Sequence, residues 1–545
     1  MSYPFRRLKQ SCMKKLDNGR NSTSLLFLLI YGIGILFLLL TAFHGNIWFD
    51  ESYSVGIASK SFSEIWSYGS CDVHPVLYYC ALHVLYLVST GIFSADIDSV
   101  ILIYRIFTVF GVVSLALLGF THIRKDYGAK VGILYSFVVF SIPYIALMAV
   151  EIRMYTWAMF TVMLCYLYGL RIVRLAKDKS VIPLHWWVLF ALSSLASAYL
   201  HYFAAISVFL VNAFVLIFLL KYQVKEKRNL VYFSISAILQ LLAYTPWLLT
   251  LLTQISVVSN TYWAKFYVPY TIIELLAYPF VTSPLSFALR GEYGLEIQIV
   301  SIALIVALIT LLVLLIINRP KRAHFASKLG ILLYLGVLVI GCIASILMNS
   351  LIVYYRYLSV ALGPLLLSLA LLLSQTKYMN FVKSFCITVL LLAILNQILL
   401  INDDYTEANQ SPLNEFNNKV AECKIWNNFS DVLVLSSDIG FMGVTSDLYP
   451  DIKQTYLDWQ PGNWGYGYKV YEPALTSVKS WDEALEGYEG AFIVLGQGMD
   501  DSIPKDISDI ASKDGVEEVS ISTFYRPYER TYFTIAVMNY EPIQE

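Results

Sequence analysis

The sequence predicts a polytopic α-helical membrane protein with a C-terminal α/β domain outside the bilayer. Of its 545 residues, 58% are apolar and only 14% are charged, a composition typical of chains that lie mostly within a membrane. Apolar runs of about 20 residues, the length that crosses a bilayer as a helix, recur between residues 24 and 402. We therefore expect a basic cytoplasmic N-terminus over residues 1–23, a membrane domain over residues 24–402 and an aqueous domain over residues 403–545.

The apolar runs predict about 11 transmembrane helices. They cover residues 24–43, 99–123, 131–150, 156–172, 186–200, 202–222, 231–253, 296–318, 329–349, 357–375 and 383–402. The first run follows a basic leader and has no small-residue cleavage site after it, so we expect it to remain as a signal anchor.

A further apolar stretch, residues 76–93, could be counted as a span, but the distribution of Lys and Arg argues against it. If this stretch does not cross, the leader and five later loops share one side and carry 23 of the 38 basic residues. If it crosses, 17 of these residues move to the other side, against the positive-inside rule. We therefore predict that residues 76–93 lie along the outer interface or dip into it. The same argument predicts that the N-terminus is cytoplasmic and that the C-terminal domain is extracytoplasmic.

Polar side chains gather in the loops that this topology places outside. The first outer loop, residues 44–98, contains Asp50 and Glu51 just after the first span, and Asp72 and His74 further on. Adjacent acids at a membrane exit are costly to hold at low dielectric and therefore indicate a working site. Later outer loops supply further candidate substrate-binding residues: Glu151, Arg153, Tyr155, His201, Tyr202, Lys265, Arg356 and Tyr357.

Five short motifs in these loops resemble a known group of enzymes. They read WFDESY from residue 48, DVHPVLYY from residue 72, EIRMY from residue 151, HYF from residue 201 and RYL from residue 356. Over roughly residues 24–375 the chain resembles the bacterial GT-C glycosyltransferases, in the branch related to protein O-mannosyltransferases and aminoarabinose transferases (families 39 and 83). Val76 stands where such relatives often carry a proline.

This resemblance implies the GT-C fold, with interfacial juxtamembrane helices in the first outer loop. It also implies a glycosyltransferase of the bacterial plasma membrane that acts on the cell envelope. Such an enzyme takes a sugar from a polyprenyl-phosphate donor and attaches it to an extracytoplasmic hydroxyl of a protein, glycolipid or glycan. In such families the first-loop Asp is the proposed catalytic base, with inversion at the anomeric carbon, and this role maps onto Asp50.

The chemistry of the residues agrees with that expectation. A carboxylate can take a proton from an acceptor hydroxyl while a cation stabilises an anionic leaving group, so Asp50 would act as base and Glu51 would position it or tune its pKa. Arg153 is the first choice for the donor phosphate, because a guanidinium grips phosphate bidentately. Lys265, His74 and Arg356 are further candidates for the same anion. No His/Cys spacing typical of a metal site is present, and the sequence neither requires nor excludes a divalent cation near the outer acids.

Structural interpretations of the same residues stay open at this point. Asp50 and Glu51 could cap a helix, Asp72 could cap the helix that follows it, and His74 could bond a carbonyl. Glu151 could pair with its neighbour Arg153. Equally, Arg356 and Tyr357 could be interfacial anchors, Lys265 could mark a membrane boundary, and His201 could be structural.

Three other functions also remain open. A lipid-linked glycan transporter or flippase would place ionisable groups near the membrane midplane and show repeat symmetry, and neither is evident in the sequence. An oligosaccharide ligase or polymerase would share the outer-face architecture. A protein of this kind that only binds a lipid-linked glycan is the third alternative.

The tail, residues 403–545, alternates short apolar runs with helix-prone stretches, a pattern that predicts a small α/β domain. Its last two runs, residues 519–524 and 532–538, predict a hairpin. The tail holds 25 acidic but only 9 basic residues, which makes it a poor partner for nucleic acid. The aromatic and glycine-rich residues 458–468 could stack on a sugar, cover the membrane site or pack on their own domain. We assign the tail to acceptor binding or gating.

Overall fold

The computed structural model describes residues 4–43, 47–222, 227–261, 325–348, 350–375, 407–428, 430–458, 467–498, 500–526 and 531–542, with scattered positions between 275 and 306 and between 380 and 398. Outside the described residues lie Lys265, most of the 458–468 segment and, apart from those scattered positions, the predicted spans 296–318 and 383–402.

Helices make up the described membrane part. They are α1 (Pro4–Ala42), α2 (Phe49–Ala58), α3 (Phe62–Cys71), α4 (Leu77–Phe93), α5 (Ile97–Leu118), α6 (Arg124–Tyr127), α7 (Ala129–Ser141), α8 (Pro143–Val150), α9 (Tyr155–Lys177), α10 (Leu184–Leu200), α11 (Tyr202–Tyr222), α12 (Arg228–Thr261), α13 (Phe325–Leu347), α14 (Tyr355–Leu358) and α15 (Leu362–Ser374). A π-helical turn, Gly119–Ile123, joins α5 to α6, and a 3₁₀ turn, Ser359–Ala361, joins α14 to α15.

Seven stretches in the described part of the chain are long and apolar enough to cross a membrane. They are Thr23–Ala42, Ile97–Tyr127, Tyr155–Lys177, Tyr202–Tyr222, Arg228–Gln254, Phe325–Leu347 and Tyr355–Ser374. The run predicted as one span over residues 131–150 is two helices, α7 and α8, bent by 65°. Pro143 begins α8, where it cannot donate the hydrogen bond that would continue α7. The structure therefore supports a polytopic helical protein, while the expected count of eleven spans stays a prediction.

The loop predicted to be the first outer loop forms three short helices, α2 to α4. A capping box begins α3, since Ser61 Oγ accepts from the backbone N–H of Glu64, and Glu64 Oε2 accepts from that of Ser61. Apolar α4 covers the stretch predicted to lie along the interface, and it is shorter than the seven candidate spans. Asp72 does not cap α4, which is the helix after it. It follows the last residue of α3, and α4 begins after Val76 without a side-chain cap.

A six-stranded sheet builds the aqueous domain, in the order β3-β2-β1-β4-β6-β5. The strands are β1 (Val434–Ser436), β2 (Gln454–Leu457), β3 (Leu475–Val478), β4 (Gly490–Gly498), β5 (Val516–Arg526) and β6 (Thr531–Tyr540). Helices α16 (Glu407–Trp426), α17 (Ile439–Leu448), α18 (Trp481–Leu485) and α19 (Lys505–Ala511) and a 3₁₀ turn, Gly467–Tyr471, complete it. Strands β1 to β4 are parallel, and β6 is antiparallel to β4 and β5. The predicted α/β domain and its final hairpin are confirmed.

The sheet has an apolar layer on each face because side chains alternate along a strand. On β4, Phe492 and Val494 belong to a small core with Ile507 of α19. Ile493 and Leu495 face the other way and join a core that continues without a break into the membrane helices. This second face therefore fixes the aqueous domain against the membrane domain.

Candidate active site

Asp50 lies in the first turn of α2, where its side chain keeps 23% of its surface exposed. Its Oδ2 atom is 2.5 Å from Nη1 of Arg356 and 4.0 Å from Nη2 of Arg153. Arg356 belongs to α14, and Arg153 to the turn between α8 and α9. A turn and a short helix far apart in sequence thus bring cations to one partly accessible carboxylate.

Arg153 is buried and holds the start of α2. Its Nη1 donates to the backbone oxygen of Asp50 at 3.1 Å and to Ser54 Oγ at 3.4 Å. The guanidinium therefore fixes the backbone beneath the Asp50 side chain. Glu151, two residues earlier, is also buried beside this turn.

Glu51 faces a different direction from Asp50, because successive residues of a helix are about 100° apart around its axis. Its Oε2 is 3.4 Å from Nη2 of buried Arg105 on α5, and it also accepts from the backbone N–H of Trp48 at 3.3 Å. Its Oε1 accepts from the N–H of Ile152 at 2.9 Å. Glu51 thus joins α2 to α5 and to the turn that carries Arg153.

Arg356 packs between aromatic rings. The centre of its guanidinium lies 5.1 Å from the ring centroid of Trp48 and 5.3 Å from that of Tyr354, an arrangement that favours a cation. The side chain thus points inward to Asp50, and the alternative in which Arg356 is a membrane anchor does not describe its contacts.

His74, Tyr155, His201 and Tyr357 form a ring cluster beside the arginines. Their ring centroids are between 5.2 and 6.4 Å apart along the contacts His74–His201, His74–Tyr357, Tyr155–His201, Tyr155–Tyr357 and His201–Tyr357. In the described part of the chain, Nδ1 of His74, Nε2 of His201 and the hydroxyl of Tyr155 are buried without a hydrogen-bond partner. A buried polar group without a hydrogen bond is unfavourable in free energy. These three groups are therefore available to bond a polar substrate.

Both histidines of this cluster are neutral near pH 7. Burial, assisted by the charge of Arg153, lowers the pKa of His201 to about 3 and lowers that of His74 well below its ordinary value. His201 Nδ1 accepts from the N–H of Phe203 at 3.1 Å, so its proton lies on Nε2. A neutral His74 can therefore form a hydrogen bond with a phosphate but offers it no positive charge.

Asp72 and Tyr202 lie at the edge of the site, joined by Gln254. The Gln254 amide donates to the backbone oxygen of Asp72 at 2.5 Å and to that of Gly69 at 3.1 Å, and its carbonyl accepts from the Tyr202 hydroxyl. The Asp72 carboxylate accepts from the Tyr79 hydroxyl at 3.4 Å. Burial raises the pKa of Asp72 to about 6, against the opposing charge of Arg153.

The structure therefore brings Asp50, Glu51, Arg153 and Arg356 together, with the ring cluster adjacent and Asp72 and Tyr202 at the margin.

Sequence reasoning missed Arg105 and Gln254 as site-organising residues. Arg105 gave a signal, since it is the one Lys, Arg, Asp or Glu within the predicted span 99–123 and such residues are usually functional. Gln254 gave none. Among the described residues, no group of three or more His, Cys, Asp or Glu side chains is arranged to hold a metal ion.

No protein-family model matches the chain, and no curated protein matches it either. Among solved structures, the chain is similar to the crystal structure of ArnT from Cupriavidus metallidurans in the apo state. The two share 10% sequence identity at a TM-score of 0.45, over 94% of this chain and 98% of that one. A score at this level does not assign residues or activity to this chain.

Proposed function

We propose that this protein is a GT-C-type membrane glycosyltransferase that moves a sugar from a polyprenyl-phosphate donor to an extracytoplasmic acceptor hydroxyl, with inversion. The observation that carries the proposal is the contact of Asp50 with Arg153 and Arg356. Asp50 follows the candidate span Thr23–Ala42, Arg153 precedes the span Tyr155–Lys177, and Arg356 begins the span Tyr355–Ser374. An accessible base at the end of a span can reach an acceptor hydroxyl from the aqueous side. Two cations at the same level can bind the phosphate of a donor lipid held in the membrane.

In the proposed reaction, Asp50 accepts the proton of the acceptor hydroxyl as its oxygen attacks the anomeric carbon. The bond between that carbon and the phosphate oxygen breaks, and polyprenyl phosphate leaves. Guanidinium groups stabilise the charge that develops on the departing phosphate, which is the role of Arg356 with Arg153 beside it. The histidines and tyrosines of the ring cluster offer neutral hydrogen-bonding groups to the sugar.

The ion pair between Asp50 and Arg356 gives this reaction an order. While the two side chains are paired, the Arg356 guanidinium occupies Oδ2 of Asp50, one of the two oxygens that can take the acceptor proton. The donor phosphate competes with Asp50 for Arg356. Donor binding therefore draws Arg356 away from Asp50 and frees Oδ2 for the acceptor hydroxyl only when a leaving group is in place.

The rival functions make different demands. A flippase or other transporter needs ionisable groups along a path through the membrane, whereas Asp50, Arg153 and Arg356 all lie at or beyond the ends of candidate spans. A ligase or polymerase of oligosaccharides would use the same site and differ in the size of the donor glycan. A binding-only protein would not need an accessible base between two arginines.

The test is release of free polyprenyl phosphate from a panel of polyprenyl-phosphate sugars and lipid-linked oligosaccharides, with cell-envelope acceptor present. Purified wild type is compared with Asp50→Asn and with Asp98→Asn, an exposed acid of the same outer region. We expect release by wild type and Asp98→Asn. In Asp50→Asn it should fall by about 10² to 10⁴, the usual contribution of a general base, while donor binding is kept.

Other outcomes would change the assignment. Equal release by Asp50→Asn and wild type removes Asp50 from the chemistry. Release from lipid-linked oligosaccharides alone favours the ligase. Absence of release from every donor, with lipid-linked substrate crossing the bilayer of liposomes, replaces the transferase with a transporter.

A further inference from the structure

The aqueous domain contacts the middle of α2, one residue after Glu51. Ser52, fully buried, donates its hydroxyl to Oδ2 of Asp447 at 2.9 Å and lies 3.2 Å from the hydroxyl of Tyr471. Asp447 belongs to α17 and Tyr471 ends the 3₁₀ turn that precedes β3. Ser52 and Asp447 are 395 positions apart in sequence and meet in a partly buried polar contact, two residues after the candidate base in α2.

The same domain also contacts both ends of α2. Buried Arg526, at the end of β5, donates from Nη2 to the backbone oxygen of Ile47 at 3.3 Å, just before the helix begins. Lys60, just after the helix ends, donates to the backbone oxygen of Glu472 at 2.5 Å. Contacts before, within and after one ten-residue helix restrain its position and its rotation.

The backbone packing at this interface is close. A Cβ atom added to Gly56 of α2 would lie 3.0 Å from the backbone oxygen of Val470, and one added to Gly443 of α17 would lie 2.6 Å from the Tyr471 hydroxyl. The two glycines therefore let α2, α17 and the 3₁₀ turn approach one another. On its opposite side, α2 is held by Arg105 and Arg153 through the contacts described above.

We propose that Asp447 is a positioning residue for the transfer reaction: through Ser52 it fixes α2, and with it the orientation of Asp50. The aqueous domain is then part of the active-site framework, in addition to any role in acceptor binding. This inference rests on the proposed function where activity is the readout. It does not depend on that function where the readout is the mobility of α2.

The chemistry of Asp447 suggests how to test it. Burial raises its pKa well above its ordinary range, so a neutral side chain of the same shape is the appropriate conservative variant. Asp447→Asn keeps an oxygen that can accept from Ser52, whereas Asp447→Leu has none. Ser52→Ala removes the donor. Lys513→Ala, which breaks an exposed ion pair with Asp482 elsewhere on the domain, is the matched control.

Two measurements on the full-length protein test the proposal. The first is hydrogen–deuterium exchange of peptides that cover residues 49–58. The second is kcat and donor KM for polyprenyl-phosphate release. We expect faster exchange in α2 and a kcat lower by about tenfold or more in Asp447→Leu and Ser52→Ala, since small misplacements of a reacting group have large effects. The donor KM should change little, and Asp447→Asn and Lys513→Ala should resemble wild type.

The double variant Ser52→Ala with Asp447→Leu supplies a further check. If the two residues act through one contact, its kcat should be no lower than that of the worse single variant. Unchanged exchange in α2, a wild-type kcat in Asp447→Leu, or additive losses in the double variant would each overturn the proposal. If wild type releases no polyprenyl phosphate but exchange in α2 still responds to Asp447→Leu, the proposed function fails and the positioning role stands.

Discussion

Arg356 and Asp50 are 306 residues apart in the chain, yet Nη1 of the arginine lies 2.5 Å from Oδ2 of the aspartate. The arginine is held in place by stacking against Trp48, which precedes the same helix as Asp50. The helix that follows the first described candidate span and the start of the last one therefore meet at the proposed base. In the proposed mechanism this arginine has two successive partners, the carboxylate and then the donor phosphate.

Replacement of Arg356 by Lys should weaken the binding of the donor phosphate. Lys keeps the charge but loses the paired N–H groups that suit both carboxylate and phosphate. We expect the donor KM and the inhibition constant of free polyprenyl phosphate each to rise by about tenfold, which corresponds to about 1.4 kcal/mol. Arg228→Lys, at the start of α12 where the guanidinium contacts Tyr232, is the control and should leave both constants unchanged. Unaltered inhibition in Arg356→Lys would show that the phosphate binds elsewhere.

The buried pair of Glu51 and Arg105 should matter for stability. Removing one partner of a buried ion pair lowers the free energy of unfolding by about 3–5 kcal/mol, because the other charge is left buried without compensation. Glu51→Leu should therefore lower the unfolding temperature strongly in detergent. Glu51→Gln should lower it less, since its side-chain oxygen can still accept from the N–H of Ile152. The variant Glu51→Leu with Arg105→Met should recover part of the loss. Additive losses in that double variant would contradict a coupled pair.

The motifs predicted where the site lies but not how its members pair. Asp50 and Glu51 are adjacent in sequence, and the sequence does not tell which of them faces the site. That depends on where α2 begins, at Phe49. With the helix beginning there, the side chain of Glu51 faces Arg105 and that of Asp50 faces Arg356. The partnership of Asp50 and Arg356 depends on the packing of distant helices and leaves no local pattern.

Other features were partly visible in the sequence. Pro143 marks the break between α7 and α8, although hydropathy alone merged them into one run. The two short apolar runs over residues 519–524 and 532–538 were enough to predict the final hairpin. The contact of Asp447 with Ser52 could not have been predicted, because one aspartate among 25 acids of the tail has no distinguishing neighbour until the domain is docked on α2.

Gln254 should be a structural link whose loss disturbs the edge of the site. Its amide bonds the backbone oxygens of Gly69, Ser70 and Asp72, at the end of α3. Gln254→Leu would leave these carbonyls and the Tyr202 hydroxyl without that partner, at a cost of about 1–3 kcal/mol. We expect a lower unfolding temperature and faster hydrogen exchange at residues 69–72. Gln240→Leu, on the same helix and bonded only to Ser236 among the described contacts, is the control. Equal exchange in both variants would contradict the link.

The stability of the protein should depend on pH in opposite directions through His201 and Asp72. The folded-state pKa of His201 is lowered to about 3, so below about pH 6.5 the unfolded chain binds a proton that the folded protein does not, and stability falls as the pH falls. The folded-state pKa of Asp72 is raised to about 6, so between about pH 6 and pH 4 the folded protein binds the extra proton, and stability rises as the pH falls.

Variants should therefore change the slope of stability against pH between pH 6 and pH 5. One proton of difference corresponds to about 1.4 kcal/mol per pH unit. His201→Gln should lose less stability on acidification than wild type by up to about that amount, and Asp72→Asn should lose more by a similar amount. His185→Gln, an exposed histidine at the start of α10, should keep the wild-type slope. The unfolding free energy in detergent at each pH measures these slopes. If His201→Gln and wild type have the same slope, the imidazole of His201 is not held neutral by its surroundings, and its assignment as a neutral hydrogen-bond donor to the sugar fails with it.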